Sequence, residues 1–211
     1  MKKQAKEILD FLKFSSKLKG QKRTIKLSRE RNESVADHSW HLALMVLLIY
    51  PYLSRKTDIL KTLKMALIHD LVEAEIGDTP YGYYANNLKN RKKKMLKEKK
   101  EIGKIRKMIG GKLGKEVGEL WHEFEEEDSN EAMLVRALDS LEANQQSILF
   151  DVDYWGDDFY AIALTKAEKH CRHEKILCEL NREITRRMEK KFREAGLDLE
   201  KIKKDSKREW G

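Results

Sequence analysis

The chain has 211 residues, enough for one domain with a continuous apolar core and short for two. Lys, Glu, Leu, Arg and Ala dominate, two prolines and eleven glycines punctuate the rest, and strand signals are nearly absent, so an all-α fold is expected. Lys plus Arg is 44 against 36 Asp plus Glu, a formal net charge of +8, but the two signs are interspersed, which permits anionic partners without marking a nucleic-acid surface.

Residues 4–18 place Ile8, Leu9, Phe11, Leu12 and Leu18 at helical spacing, and Gly20 can stop that helix. The basic stretch GQKRTIKLSRERNE then reads as a loop. Ser34 is the expected N-cap of a helix running through Tyr50, with Val35, Leu42, Met45, Val46 and Ile49 on its apolar face and Pro51 closing it. This helix carries His38 and His41. Thr57 or Asp58 caps a third helix through Ile76, with Gly77 at its end and His69, Asp70 and Glu73 in its last two turns.

A turn-rich segment, GDTPYGYYANN, precedes a very basic helix that Gly110 and Gly111 break. Residues 112–127 form a shorter amphipathic helix, and Ser129 opens another that bears Asp139 near its middle. A last long helix covers roughly Asp157 to Ala195. The expected organisation is a single domain over residues 1–211, with its core at about 20–180 and a C-terminal helix and loose tail at about 181–211. Cys171 and Cys178 lack the spacing of a zinc knuckle or redox pair, and the longest apolar run, LALMVLLIY, is too short to span a bilayer. A reduced, cytoplasmic setting without export or membrane insertion is the expectation.

The run MALIHDLVEAEIGD holds the chemistry. Adjacent His69 and Asp70 offer a mixed nitrogen and oxygen donor set suited to a divalent transition metal. Glu73 shares their helix face, because residues three and four apart are neighbours there. Asp139 interrupts the apolar sequence VRALDSL, and an aspartate buried alone is costly, so it calls for a cation, for Arg136, or for exposure. His38 by itself is an ordinary half-buried histidine; together with the others it points three helices at one ion.

Read in order, His38, His69-Asp70 and Asp139 form a His…His-Asp…Asp pattern that resembles the signature of the HD-domain metal-dependent phosphohydrolases. The segments NESVADHSW, ALIHDLVEAEIGDTP and VRALDSLEA resemble the 5'-deoxynucleotidase branch, over about Arg23 to Asn144. The resemblance implies an HD-domain helical bundle with a metal site between core helices, commonly a homodimer, that hydrolyses nucleoside 5'-monophosphates to nucleoside and phosphate. By the same resemblance His38, His69, Asp70 and Asp139 hold one divalent cation, with Mn²⁺ and Co²⁺ as candidates.

Glu73 is the expected general acid/base, and by the resemblance Asp78, a catalytic candidate beside it, matches the family position that contacts the sugar, with Thr79 and Pro80 following in the same substrate loop. In some relatives the equivalents of Glu73 and Asp78 hold a second metal, for which Mg²⁺ is a candidate. Arg23 matches in spacing an arginine that orients the substrate phosphate, and its planar fork suits that anion. Thr24 stands where the bacterial members have a tryptophan against the sugar. Arg31 and Glu33 also fit the family and can pair to brace the loop.

Other features have plainer readings. His41 is expected to pack or hydrogen-bond behind the ligands, Trp40 and Trp121 to be core aromatics, and His122, His170 and His173 have no motif around them. Lys89 to Lys107 holds eleven Lys or Arg in nineteen positions, but without interleaved aromatics it reads as a solvated face able to steer anionic substrates, and specific nucleic-acid binding is not expected. Two alternatives stay open: an HD hydrolase of nucleoside di- or triphosphates, and a non-catalytic basic protein that binds nucleotides or nucleic acid.

Overall fold

Apolar residues recurring on most sides of one segment, Asn130–Ser147, make it the helix around which the others assemble in a computed structural model that describes residues 2–84, 87–155 and 159–209. The helices and strands are α1 (Lys2–Ser15), β1 (Lys22–Lys26), β2 (Asn32–Ser34), α2 (Val35–Ile49), α3 (Ile59–Ile68), α4 (Glu73–Ile76), α5 (Tyr81–Tyr84), α6 (Leu88–Ile109), α7 (Gly111–Glu126), α8 (Asn130–Ser147), α9 (Phe159–Cys171), α10 (Lys175–Glu194) and α11 (Leu199–Glu209). Among the described residues no helix is long and apolar enough to cross a membrane.

Local signals set the helix starts. Ser34 and Asp37 form a reciprocal capping box on α2, Asp58 caps α3 by accepting from the Lys61 amide, and Ser129 caps α8 by accepting from the Ala132 amide. Gly77 ends α4 at φ +77°, a conformation that side-chain-bearing residues rarely adopt.

Two apolar clusters share the interior. The larger joins α2, α3, α8, α9 and α10 through residues such as Leu42, Met65, Leu138, Leu177 and Met188; the smaller joins α1, α6 and α7 through Phe14, Ile102, Ile105 and Trp121. One short segment bridges them, with Met65 and Ala66 in the first cluster and Leu71 and Val72 in the second. His69 and Asp70 lie between those anchors, which fixes their backbone from both sides.

The structure departs from the sequence expectations at five places. The basic loop after Gly20 contains a two-stranded antiparallel ribbon pairing Lys22 with Ser34 and Lys26 with Asn32. The helix expected to run through Ile76 stops at Ile68, and residues 69–72 turn before α4. The last long helix is divided between Cys171 and Lys175, and its expected start at Asp157 lies outside the described residues. The tail expected to be loose forms α11, which docks on α9 through a 2.7 Å hydrogen bond from Ser206 Oγ to the Ala161 carbonyl. Trp40, expected in the core, is 66% exposed, whereas Trp121 is buried as expected.

Candidate metal centre and substrate pocket

The turn after α3 builds the centre. The His69 amide donates to Met65, the Leu71 amide to Ile68 and the Glu73 amide to Asp70, so the chain tightens where the His-Asp pair must face one point. Nδ1 of His69 lies 2.9 Å from the Ala66 carbonyl, and Nδ1 of His38, from α2, lies 2.6 Å from Glu142 Oε2. Both rings therefore use Nδ1 as donor and turn Nε2 inward.

Around those nitrogens stand the carboxylates. His38 Nε2 is 3.2 Å from Asp139 Oδ1 and 3.9 Å from Asp70 Oδ2, and His69 Nε2 is 3.0 Å from Asp70 Oδ2. Donor atoms of His38, His69 and Asp139 all fall within 4.8 Å of one another. The two Nε2 atoms are buried, and neither carboxylate, at 3.0 or 3.2 Å, is aligned to form a good hydrogen bond with them. Buried polar atoms are seldom left so, and two inward imidazole nitrogens beside two carboxylates fit a divalent transition metal.

Charge tells the same story. Burial opposes ionisation of Asp139, yet Lys166, His38 and His69 hold it well below the usual carboxylate range. Asp70 is likewise held low, because the two histidines outweigh its burial. Burial and Arg23 disfavour charge on His38, but Glu142 and Asp139 overcome both and raise it to about 10. A carboxylate cluster that draws a proton onto a buried histidine suits a cation that can replace that proton.

Behind His38, Glu142 is fully buried, and its second oxygen lies 2.7 Å from His41 Nδ1. Its own burial is outweighed by His38 and His41, which lower it to about 2. Neighbouring Glu33 goes the other way, raised to about 7 by burial and by Glu142 despite Arg23. On the cavity side, burial followed by repulsion from Asp70 and Asp78 pushes Glu73 well above the ordinary carboxylate range.

A cavity of about 520 Å³ opens on this centre. His69, Asp70, Glu73, Asp78, Thr79, Pro80, Arg23 and Asp139 line it, while buried His38 stands behind the wall. Elsewhere the lining is aromatic, with Phe150, Tyr154, Trp155 and Phe159. Arg23 Nε is 3.0 Å from Glu33 Oε2 and its Nη1 is 3.6 Å from Asp70 Oδ2.

Two pairings differ from the sequence reading. Glu33 pairs with Arg23 and not with Arg31, which reaches Asp37 in the α2 capping box. Arg136, the alternative partner for Asp139, pairs instead with Glu125 at 3.0 Å and Glu127 at 3.3 Å. Sequence reasoning missed Glu142 and the cavity residues Lys94, Glu98 and Lys166. Glu142 left one signal, its position three residues after Asp139 on the same helix face.

The family model for the HD domain matches residues 15–181. The chain belongs to the HD-domain family. Among curated proteins, this HD-domain chain is 34% identical over 151 residues to 5'-deoxynucleotidase HDDC2 of Dictyostelium discoideum, covering 68% of this chain and 77% of that one. It is 32% identical over 149 residues to 5'-deoxynucleotidase HDDC2 of Xenopus laevis, covering 69% and 70%. Among solved structures it is similar to a predicted metal-dependent phosphohydrolase from Magnetospirillum magnetotacticum MS-1, with TM-score 0.75 and 25% identity over 92% of this chain and 95% of that one. A conserved hypothetical protein from Pyrococcus furiosus follows, with TM-score 0.63 and 28% identity over 82% and 99%. The HD-domain fold is all-α, as its composition predicts, and the β1–β2 ribbon is its one sheet among the described residues.

Proposed function

We propose that this HD-domain protein is a metal-dependent 5'-nucleotidase that hydrolyses deoxynucleoside 5'-monophosphates to nucleoside and phosphate. The observation that carries the reading is the convergence of His38, His69, Asp70 and Asp139 on one point beside Glu73, at the wall of a nucleotide-sized cavity. The names of the curated relatives point to the same chemistry.

His38, His69, Asp70 and Asp139 would hold the divalent cation, with Mn²⁺ or Co²⁺ suited to the donor set and Mg²⁺ a candidate partner of Glu73 and Asp78 at a second position. When bound, the cation neutralises phosphoryl charge and makes its water more acidic. Arg23 orients the phosphate, and its ion pairs with Glu33 and Asp70 hold the guanidinium in place. Glu73, its carboxyl kept ready to hold a proton by burial, takes one from the attacking water or gives one to the leaving 5'-oxygen. Asp78 meets the sugar, with Thr79 and Pro80 shaping the same loop, and the aromatic lining receives the base.

The reading includes a homodimer. Trp40, Leu44, Leu47 and Leu48 form one exposed stripe of α2, and Leu60 and Leu67 are exposed on α3 packed beside it. Such a stripe is an interface signature. It also includes a cytoplasmic setting, which both free thiols suit.

The test is phosphate release from the eight common ribo- and deoxyribonucleoside 5'-monophosphates by metal-stripped protein given Mn²⁺, Co²⁺ or Mg²⁺, with Asp70→Ala as control. Metal-dependent release from deoxy substrates, absent in the control, is expected. Release only from triphosphates, as pyrophosphate or tripolyphosphate, or no release at all, would overturn the reading.

A further inference from the structure

Helix α6 sorts its lysines by face. Lys89, Lys92, Lys93, Lys97 and Lys100 share an outer stripe with Leu96. The opposite stripe is buried and reads Glu98, Glu101, Ile102 and Ile105. Lys94 lies one turn before Glu98 on that inner stripe, so among near-identical neighbours it alone of these six lysines lines the substrate cavity.

Its surroundings hold it there. The Lys94 side chain is 23% exposed and ion-paired with Glu98, itself buried, and the ammonium sits 5.0 Å from the centre of the Tyr84 ring. Taking such a pair out of water costs free energy, and replacing it with apolar side chains is often neutral or stabilising. Its positive charge favours ionisation of Glu73 and Asp78, as that of Arg23 does from β1.

A phosphomonoester brings close to two negative charges into a cavity that already holds Asp70, Glu73, Asp78 and Asp139. Arg23 is shared between Glu33 and Asp70, Arg136 between Glu125 and Glu127, and the charge of Lys166 acts on Asp139. Among the described residues Lys94 is ion-paired with a carboxylate on its own helix, and its flexible stem can move its ammonium.

We propose that Lys94 is a second phosphate-binding residue of the site, held by Glu98 and the Tyr84 face and turning to the phosphate of the nucleotide, or to product phosphate, when either enters. The inference rests on the nucleotidase reading for its substrate but not for its anion.

The experiment is calorimetric titration of inorganic phosphate into the full-length, Mn²⁺-loaded protein and its Lys94→Gln, Lys94→Arg and Glu98→Gln variants, with KM and kcat on a deoxynucleoside monophosphate. Lys94→Gln is expected to weaken phosphate binding by about tenfold or more and to raise KM more than it lowers kcat, with Mn²⁺ content unchanged, while its Tm falls because Glu98 loses its partner. Lys94→Arg should recover most of the affinity, and Glu98→Gln, which frees the ammonium, should keep or tighten it. Phosphate affinity within twofold of wild type in Lys94→Gln would overturn the inference. So would equal losses of affinity in Lys94→Gln and Glu98→Gln, the mark of a structural pair, or no phosphate binding by the wild type. Phosphate binding through Lys94 without any nucleotide hydrolysis would sink the nucleotidase reading and leave this inference standing.

Discussion

Glu142 accepts from two imidazoles at once, with His38 Nδ1 at 2.6 Å and His41 Nδ1 at 2.7 Å, and so fixes which nitrogen of His38 faces the centre. A glutamine there has a single acceptor oxygen and would set an N–H against one of the rings. Glu142→Gln is therefore expected to lower Mn²⁺ affinity by about 10- to 100-fold, measured by equilibrium dialysis. In the same assay Asp70→Ala should lose the metal, while Glu73→Ala should keep it and lose most turnover; full metal binding in Asp70→Ala would overturn the ligand assignment. At this scale, His69-Asp70 was legible because two donors stand side by side amid apolar residues. Glu142 was not, since a glutamate in a helix is usually solvated and only the inward direction of Asp139 makes its position informative. Lys94 was hidden among lysines of identical chemistry.

Elements end where a side chain or a missing one dictates. Between α6 and α7 the chain reverses at Gly110 and Gly111, and a methyl added at Gly114 would overlap the backbone carbonyl of Arg106. Gly114→Ala should cost about 1–3 kcal/mol in urea unfolding. A methyl at Gly118 meets the flexible Arg106 side chain instead, so Gly118→Ala should stay within about 1 kcal/mol of wild type. Equal costs at the two sites would show that the helix pair can move apart.

The break between α9 and α10 is held by Glu174, whose carboxylate accepts from the Ser54 and Arg55 amides and the Ser54 hydroxyl. Its burial favours the neutral form, but those three donors outweigh it and lower its pKa. A lowered folded-state value means that the stabilisation is full above the unfolded carboxylate value, about 4.3, and fades as pH falls through the folded one. Wild type should thus exceed Glu174→Gln in Tm at pH 7, with the gap closing below about pH 4; a gap independent of pH would refute the charged-acceptor account. Helix periodicity announced α9 and α10 but not this break, because the donors that fix Glu174 lie 120 and 119 residues away.

Across the whole molecule, α8 anchors the larger apolar cluster and supplies Asp139 and Glu142, so the candidate metal centre and stability share one helix. The exposed apolar stripe of α2 and its neighbours on α3 lead to a further expectation. Leu48→Glu combined with Leu67→Glu should convert the proposed dimer to monomer in sedimentation while leaving the helical circular dichroism unchanged. A dimer that survives both charges would place the interface elsewhere.

By itself the sequence determined the helical class, the starts of α2, α3 and α8 and the residue types of the candidate centre, because capping, periodicity and an adjacent His-Asp pair are local properties of the chain. Only the tertiary structure decided what depends on contacts between distant residues. It set Glu142 against His38 across 104 residues of chain, broke the third helix at Ile68 between two apolar clusters, and docked α11 on α9. Partner choice among like charges, and whether an amphipathic stripe is covered, are set by what the rest of the chain brings alongside, and that information is spread over more than a hundred residues rather than carried by any one segment.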